Sequence, residues 1–200
     1  AAFQSLYDND NGFRDHFGKF WSKVASSLKS KNILGYEIIN EPFPGNIYTK
    51  PSLLLPGVAG RDSLQGFYDI IAESIRASDS EHIIFYEPVT WGMIFNGTVT
   101  GSGFDHVPGG ADFAEKSVFS FHYYCWWFSD DGKQLEKRTC DERFGPKVFD
   151  QVVEDTRFLG GSAMLTEWGQ GCDPHINTTA ECEPIMDLAD EHLLSWTDWW

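Results

Sequence analysis

Apolar positions along the chain follow two rhythms. Phe13, Phe17, Phe20, Trp21, Val24 and Leu28 recur at helical spacing and predict a helix over 13–28. The run NILGYEII at 32–39 is short, continuous and apolar, the signature of a buried strand. A long Pro- and Gly-rich loop follows over 42–60. Leu64, Phe67, Tyr68, Ile71 and Ile75 then form the apolar face of a second helix, with Asp62 as its expected cap and Gln65 three residues on. HIIFYEP at 82–88 and SVFSFHYY at 117–124 predict two more strands. Pro146 suits the first turn of a helix over 146–159, and Gly160-Gly161 suits its end. SAMLTEWG at 162–169 predicts a fourth strand. An amphipathic helix over 181–194 leads into LLSWTDWW, where a fifth strand begins.

Strands that alternate with helices and carry apolar runs imply a parallel sheet covered on both faces. Polar residues gather where these strands end: Asn40-Glu41, Glu87, His122 to Tyr124, and Glu167. In a (β/α)8 barrel the chemistry sits at those ends. A dinucleotide-binding sheet is the alternative, but it wants a GxGxxG turn between a strand and a helix. Gly101-Ser102-Gly103-Phe104 does not join a strand to a helix. A complete barrel takes eight strands in about 250 residues. The expectation is therefore an α/β chain forming an incomplete (β/α)8, or TIM, barrel, roughly its strands 4 to 8. Residues 1–200 would be one partial catalytic domain, with the first strands and any C-terminal domain absent.

Charge narrows the partners. The 200 residues hold 15 Lys and Arg against 30 Asp and Glu, a formal net charge of −15. Such a field repels phosphate backbones and argues against nucleic acid, and against anionic membranes held by charge alone. Eight tryptophans supply flat amphipathic surfaces suited to sugar faces and apolar groups. Cys125, Cys140, Cys172 and Cys182 allow three pairings, and 125–140 with 172–182 is preferred because each pair brackets a polar, loop-like stretch. The cysteine spacing does not suggest zinc. Even cysteines, with glycosylation-type tripeptides at Asn96 and Asn177, favour a secreted or lumenal protein. No signal peptide and no bilayer-length apolar run is visible.

Cleaving a glycosidic bond takes two carboxyl groups, one to protonate the leaving oxygen and one to attack or to activate water. Glu41 and Glu167, on the first and fourth predicted strands, face each other across the mouth of a closed barrel. Pro42 stops the first strand, so Glu41 is expected to stand buried there with a proton at hand. Asn40 beside Glu41 suits a sugar hydroxyl. Tyr124, two residues past His122, is placed to orient Glu167 and keep it ionised. Glu87, without an amide neighbour, is expected to contact substrate or to serve the fold.

GYEIINEPFPG, SFHYY, LTEWG and SWTDWW resemble the strand 4, 6, 7 and 8 signatures of glycoside hydrolase family 5, which are retaining (β/α)8 glycosidases. Within that family the sequence is similar to endoglycoceramidases, on NEPFPGNIYTKPSLLLPGVAG and HIIFYEP. The resemblance implies Glu41 as acid/base, Glu167 as nucleophile, Asn40 on the sugar 2-hydroxyl and His122 with Tyr124 near the nucleophile. It implies Trp199 as a sugar platform, with Trp196 or Trp200 as alternatives, and no metal or cofactor. The family also uses an Arg and a His from earlier strands, which this chain does not contain.

Three leucines in a row within a Pro/Gly loop should meet something apolar. Leu53, Leu54 and Leu55, with Trp126, Trp127 and Phe128 after the third strand, are candidate contacts for the lipid of a glycolipid. The partner would then be a glycosphingolipid or another β-glucoside, met in transient contact with a membrane surface. Two other readings stand beside this one. The first is a family 5 β-glycosidase for soluble β-glucan, glucosylceramide or sterol glucoside. The second is a non-catalytic glycolipid-binding protein.

Overall fold

The structure, a computed structural model, describes residues 2–89, 94–95, 98–124, 143–168 and 182–199. Five strands form one sheet: β1 (Gly35–Glu37), β2 (Ile83–Tyr86), β5 (Ser117–His122), β6 (Ser162–Glu167) and β7 (Ser195–Trp196). Every pairing in it is parallel, and the strands lie in chain order. A doubly wound sheet reverses its order at a switch point, and this one does not. A short antiparallel pair, β3 (Ile94–Phe95) with β4 (Thr98–Val99), forms a separate ribbon.

Helices Phe13–Leu28, Gln65–Arg76, Gly145–Leu159 and Cys182–Glu191 fill the connections. Period two in the strands sorts their side chains. Tyr86, Phe119 and Phe121 turn outward under the helices: Tyr86 meets Tyr68 with ring centroids 6.1 Å apart, and Phe121 meets Phe149 at 5.3 Å. The helix Gln65–Arg76 buries Phe67, Tyr68, Ile71, Ala72 and Ile75, the face that its spacing predicts. Glu37, Glu87, Ser120 and His122 take the alternate positions and so share the opposite face, where the site is built.

Three details depart from expectation. Asp62 does not cap a helix. It lies in a wide turn over Gly60–Leu64, and its carboxylate accepts from Lys50 Nζ and Arg61 Nε, each at 2.8 Å. That turn forms where the chain crosses Gly101 to Phe104 too closely for side chains: a Cβ on Gly103, whose φ is +85°, would sit 1.9 Å from the Gly57 carbonyl oxygen. Gly103 and Gly60, whose own Cβ would sit 2.0 Å from the Ser102 carbonyl oxygen, thus serve a backbone crossing. The last helix ends at Glu191, because Leu193 adopts φ +57° and the Leu194 amide reaches back to the Ala189 carbonyl at 2.8 Å. A first helix, Ala2–Tyr7, had no periodic signal. It positions Tyr7, whose hydroxyl donates to the Phe43 carbonyl at 2.6 Å and ties down the loop after β1.

Outside the sheet, Asp79 gathers a network. Its carboxylate accepts from Tyr36 Oη at 2.7 Å, from the amides of Glu81 and His82 at 3.0 and 3.2 Å, and faces His82 Nδ1 at 2.6 Å. Burial works to raise its pKa, yet the hydrogen bonds outweigh it and hold the carboxyl down at about 2. A group held low in the folded state adds stability above its ordinary range and loses it as pH falls toward the folded value. Asp79→Ala is therefore predicted to cost roughly 2–3 kcal/mol at neutral pH. Denaturation of variant and wild type should show that gap closing between pH 4 and 2; a gap independent of pH there would count against the network.

Candidate active site

β1 is only three residues long, Gly35–Glu37. Its ladder continues only through the Ile38 amide, which donates to the Phe85 carbonyl at 3.2 Å. The chain then turns at Glu41, whose φ of +42° is left-handed. For a residue with a side chain that conformation costs roughly 1–2 kcal/mol and needs outside support. The support is Glu87: both of its carboxyl oxygens accept from the Glu41 amide, at 3.2 and 3.3 Å. Pro42 follows, buried, and brings no further donor.

His122 closes β5. The pairing of β5 with β6 slips between Phe121 and His122, so that His122 stands opposite Glu167. Such an irregularity re-aims a side chain at a strand end. The His122 ring, only 2% exposed, lies among three carboxyl groups. Nδ1 is 3.0 Å from Glu41 Oε1 and 3.5 Å from Glu167 Oε2, while Nε2 is 3.6 Å from Glu87 Oε1. Tyr124 Oη donates to Glu167 Oε1 at 2.7 Å. Burial, and then the hydrogen bond to Glu167, push the Tyr124 phenol above its usual range.

Three carboxyl groups at one ring cannot share one environment. Glu41 is 48% exposed and Glu167 16%, whereas Glu87 is fully buried. Burial, reinforced by the charge on Glu37, pushes Glu87 up to about 9; the Glu41 amide pulls the other way and loses. This corrects one expectation and narrows another to its structural half. The buried carboxyl is Glu87, not Glu41, whose side chain follows a left-handed turn and is 48% exposed. Glu87, at 0% exposure, is sealed from substrate contact.

Below this layer the Ser120 hydroxyl donates to Glu37 Oε1 and lies against the Thr166 hydroxyl. Sequence reading passed over Glu37 and Ser120 as parts of apolar strands. Their signal was period two: Glu37 alternates with the outward Tyr36, and Ser120 with the outward Phe119 and Phe121. Among the described residues, two groups have spacing that could hold a metal ion, Glu41–His122–Glu167 and Glu37–Glu87–His122, each with donor atoms within 4.8 Å of one another.

The remaining candidates are placed unevenly. Asn40 is exposed beside Glu41. Trp199 is 64% exposed, and its amide donates to the Trp168 carbonyl at 2.7 Å. Trp196 packs edge-on to Trp168 at 5.3 Å. Leu53 is 2% exposed and packs in the core, which removes it from any lipid surface; Leu54 is half-buried and Leu55 is 50% exposed. Trp126, Trp127, Phe128 and Trp200 lie outside the described residues, as do Asn96, Asn177 and the cysteine side chains. His82, His106 and His192 each face an aspartate away from the site.

A parallel sheet in chain order, ending in a Glu–His–Glu cluster, is the setting in which known proteins can be compared. The family model for cellulase (glycosyl hydrolase family 5) matches residues 2–200. The chain belongs to glycosyl hydrolase family 5. Two curated family relatives are named endoglycoceramidase. That of Cyanea nozakii is 38% identical over 200 residues, covering 100% of this chain and 36% of its own length. That of Hydra vulgaris is 39% identical over 200 residues, covering 99% of this chain and 34% of its own length. The chain thus spans about a third of the length of these relatives. Among solved structures, endo-glycoceramidase II from Rhodococcus sp. in complex with ganglioside GM3 superposes with a TM-score of 0.78 at 20% identity, over 99% of this chain and 43% of that one. The Pseudomonas stutzeri endoglucanase Cel5A gives 0.63 at 20% identity, over 93% and 53%. The five parallel strands are accordingly part of a family 5 TIM barrel.

Glu87 makes a prediction that needs no assay of activity. Its folded pKa is raised, so the folded chain keeps a proton that the unfolded chain releases above the ordinary range near 4.5. Its contribution to stability therefore declines as pH climbs from there to about 9, by on the order of 1 kcal/mol per pH unit. Glu87→Gln removes that dependence. In the full-length protein its melting temperature should gain on wild type steadily between pH 5 and 9; a constant offset would show that Glu87 ionises normally.

Proposed function

We propose that the protein is a retaining glycosidase that cuts the β-glucosyl bond between an oligosaccharide and ceramide. On this reading the chain is the C-terminal part of the catalytic barrel. The observation that carries the chemistry is the pairing of Glu41 and Glu167 around His122, with their nearest oxygens within 4.8 Å. Retaining enzymes set their carboxyl groups about 5–5.5 Å apart, and inverting enzymes leave about 6.5–9.5 Å for a water. The close pair supports retention. The endoglycoceramidase relatives support the substrate.

In the first step Glu167 attacks the anomeric carbon while Glu41 gives its proton to the ceramide oxygen, which leaves as the alcohol. A glycosyl ester on Glu167 results. In the second step Glu41 takes a proton from water, and the hydroxide displaces Glu167 and frees the oligosaccharide with retained configuration. Tyr124 holds Glu167 in line through its 2.7 Å hydrogen bond. His122 lies within reach of both carboxyl groups and keeps them converged. Asn40 is placed for the sugar 2-hydroxyl, and Trp199 for its apolar face. Leu54 and Leu55, with Trp126, Trp127 and Phe128, remain candidates for the lipid. A secreted or lumenal location and transient membrane contact go with that substrate.

A second reading, an endoglucanase-like enzyme acting on soluble β-glucan, is favoured by the cellulase family model and by the likeness to an endoglucanase. A non-catalytic glycolipid-binding role leaves the convergent carboxyl pair without a purpose.

The test is to incubate the full-length protein with a ganglioside and identify products by mass spectrometry. Intact oligosaccharide and ceramide are expected, and both should vanish in Glu167→Gln. Turnover of soluble β-glucan alone would select the second reading. Tyr124→Phe supplies a further prediction. Losing a hydrogen bond to a charged group costs roughly 1.5–3 kcal/mol, so kcat on an aryl β-glucoside should fall about 10- to 100-fold. The substrate does not touch this hydroxyl on our reading, so KM should hold; a change in KM alone would reassign Tyr124 to substrate binding.

A further inference from the structure

We infer that Glu87 is a positioning residue for the proposed acid/base: its buried carboxyl fixes the turn at Glu41 and sets the tautomer of His122, which holds Glu41 toward Glu167. The inference rests on reading Glu41 and Glu167 as the catalytic pair. Substrate does not reach Glu87, so it acts only through these neighbours.

The geometry forms a relay. Nδ1 of His122 faces carboxyl oxygens of two residues, Glu41 at 3.0 Å and Glu167 at 3.5 Å. Two acceptors on one ring nitrogen call for a hydrogen there. In the neutral ring Nε2 is then an acceptor, and the atom that faces it is Glu87 Oε1 at 3.6 Å. A protonated carboxyl can aim its O–H at that nitrogen after a shift of a few tenths of an ångström. A carboxylate would offer only lone pairs. The other duty of Glu87 is at Glu41, whose left-handed backbone is held by an amide that donates to both Glu87 oxygens. Glu87 itself is fixed from behind, since Tyr68 Oη donates to its backbone carbonyl at 2.8 Å.

The charged surroundings keep Glu87 neutral. Facing it are Glu37 from β1, Glu41 from the turn that follows, His122 from β5, Glu167 from β6 and the Tyr68 phenol from the helix Gln65–Arg76. Burial and these negative neighbours push its carboxyl up to about 9, so it carries its proton through neutral pH. A partner that fixes ring orientation and tautomer from the far side is how metal-bound and catalytic histidines are commonly held. Here a neutral acid takes that place.

The test uses the full-length protein with an aryl β-glucoside, comparing wild type, Glu87→Gln and Glu87→Leu, together with 15N NMR of the labelled His122 ring. Gln can accept from the Glu41 amide and donate to Nε2, so kcat within about threefold of wild type is expected at pH 6–7. Leu can do neither, and kcat should fall about 10- to 100-fold with KM little changed. The ring should carry its hydrogen on Nδ1 in wild type and in Glu87→Gln. Its shifts should show an inflection near pH 9 in wild type that Glu87→Gln lacks. Three results would overturn the inference: Gln as damaging as Leu, Leu as active as wild type, or a wild-type ring protonated on Nε2 alone. The NMR arm stands even if Glu87→Leu does not fold. Full activity in Glu167→Gln would sink the catalytic reading instead, while the ring tautomer would still decide for or against Glu87.

Discussion

One imidazole holds the site together. His122 is almost completely enclosed, and carboxyl groups from β1's end, β2's end and β6 converge on its two nitrogens. Carboxylates that crowd together repel, and a shared donor between them is what makes the crowding bearable. The ring brings Glu41 and Glu167 close without letting them touch, and burial leaves Glu87 as the group that keeps a proton. The slip in the β5–β6 pairing that sets His122 opposite Glu167 is therefore what lets the cluster form.

The scaffold follows from alternation. β1, β2 and β5 turn Tyr36, Tyr86, Phe119 and Phe121 outward toward the helices and set Glu37, Glu87, Ser120 and His122 on the opposite face, so one alternation builds both the core and the site. Tyr86 and Glu87 show this at neighbouring positions: the first packs under Tyr68, and the second faces His122. Asp79 performs a comparable task away from the site, tying the turn after the helix Gln65–Arg76 to Tyr36 of β1 and to the start of β2 through four hydrogen bonds to three residues.

Much of this was legible in order and type. The helix over 13–28 was readable to its ends because six large apolar residues mark one face. Glu41 and Glu167 were readable because a carboxylate at the end of an apolar strand needs a purpose. What was hidden depended on three-dimensional crossings. Asp62 looks like a cap until the chain is seen to cross Gly103. Glu37 and Ser120 look like polar blemishes in greasy strands until both face inward. Leu53 and Leu55 are near-identical in sequence context, yet one faces the core and the other solvent. Glu87 and Glu41 were indistinguishable in burial, since a positive φ leaves no trace at a residue that is not glycine.

The segment after β7 divides its labour differently. Main-chain groups tie it down: the Thr197 amide donates to the Leu165 carbonyl, its hydroxyl to the Thr166 carbonyl, and the Trp199 amide to the Trp168 carbonyl. The Trp199 ring, largely exposed, adds little to that hold. What stands at position 199 is thus separable from how the chain gets there. A different side chain there would leave the main-chain bonds in place. The cluster around His122 has no such freedom, because there each side chain is also its neighbour's support. The site end of the sheet accordingly joins a mutually braced cluster to a segment whose side chain at 199 carries little of the fold.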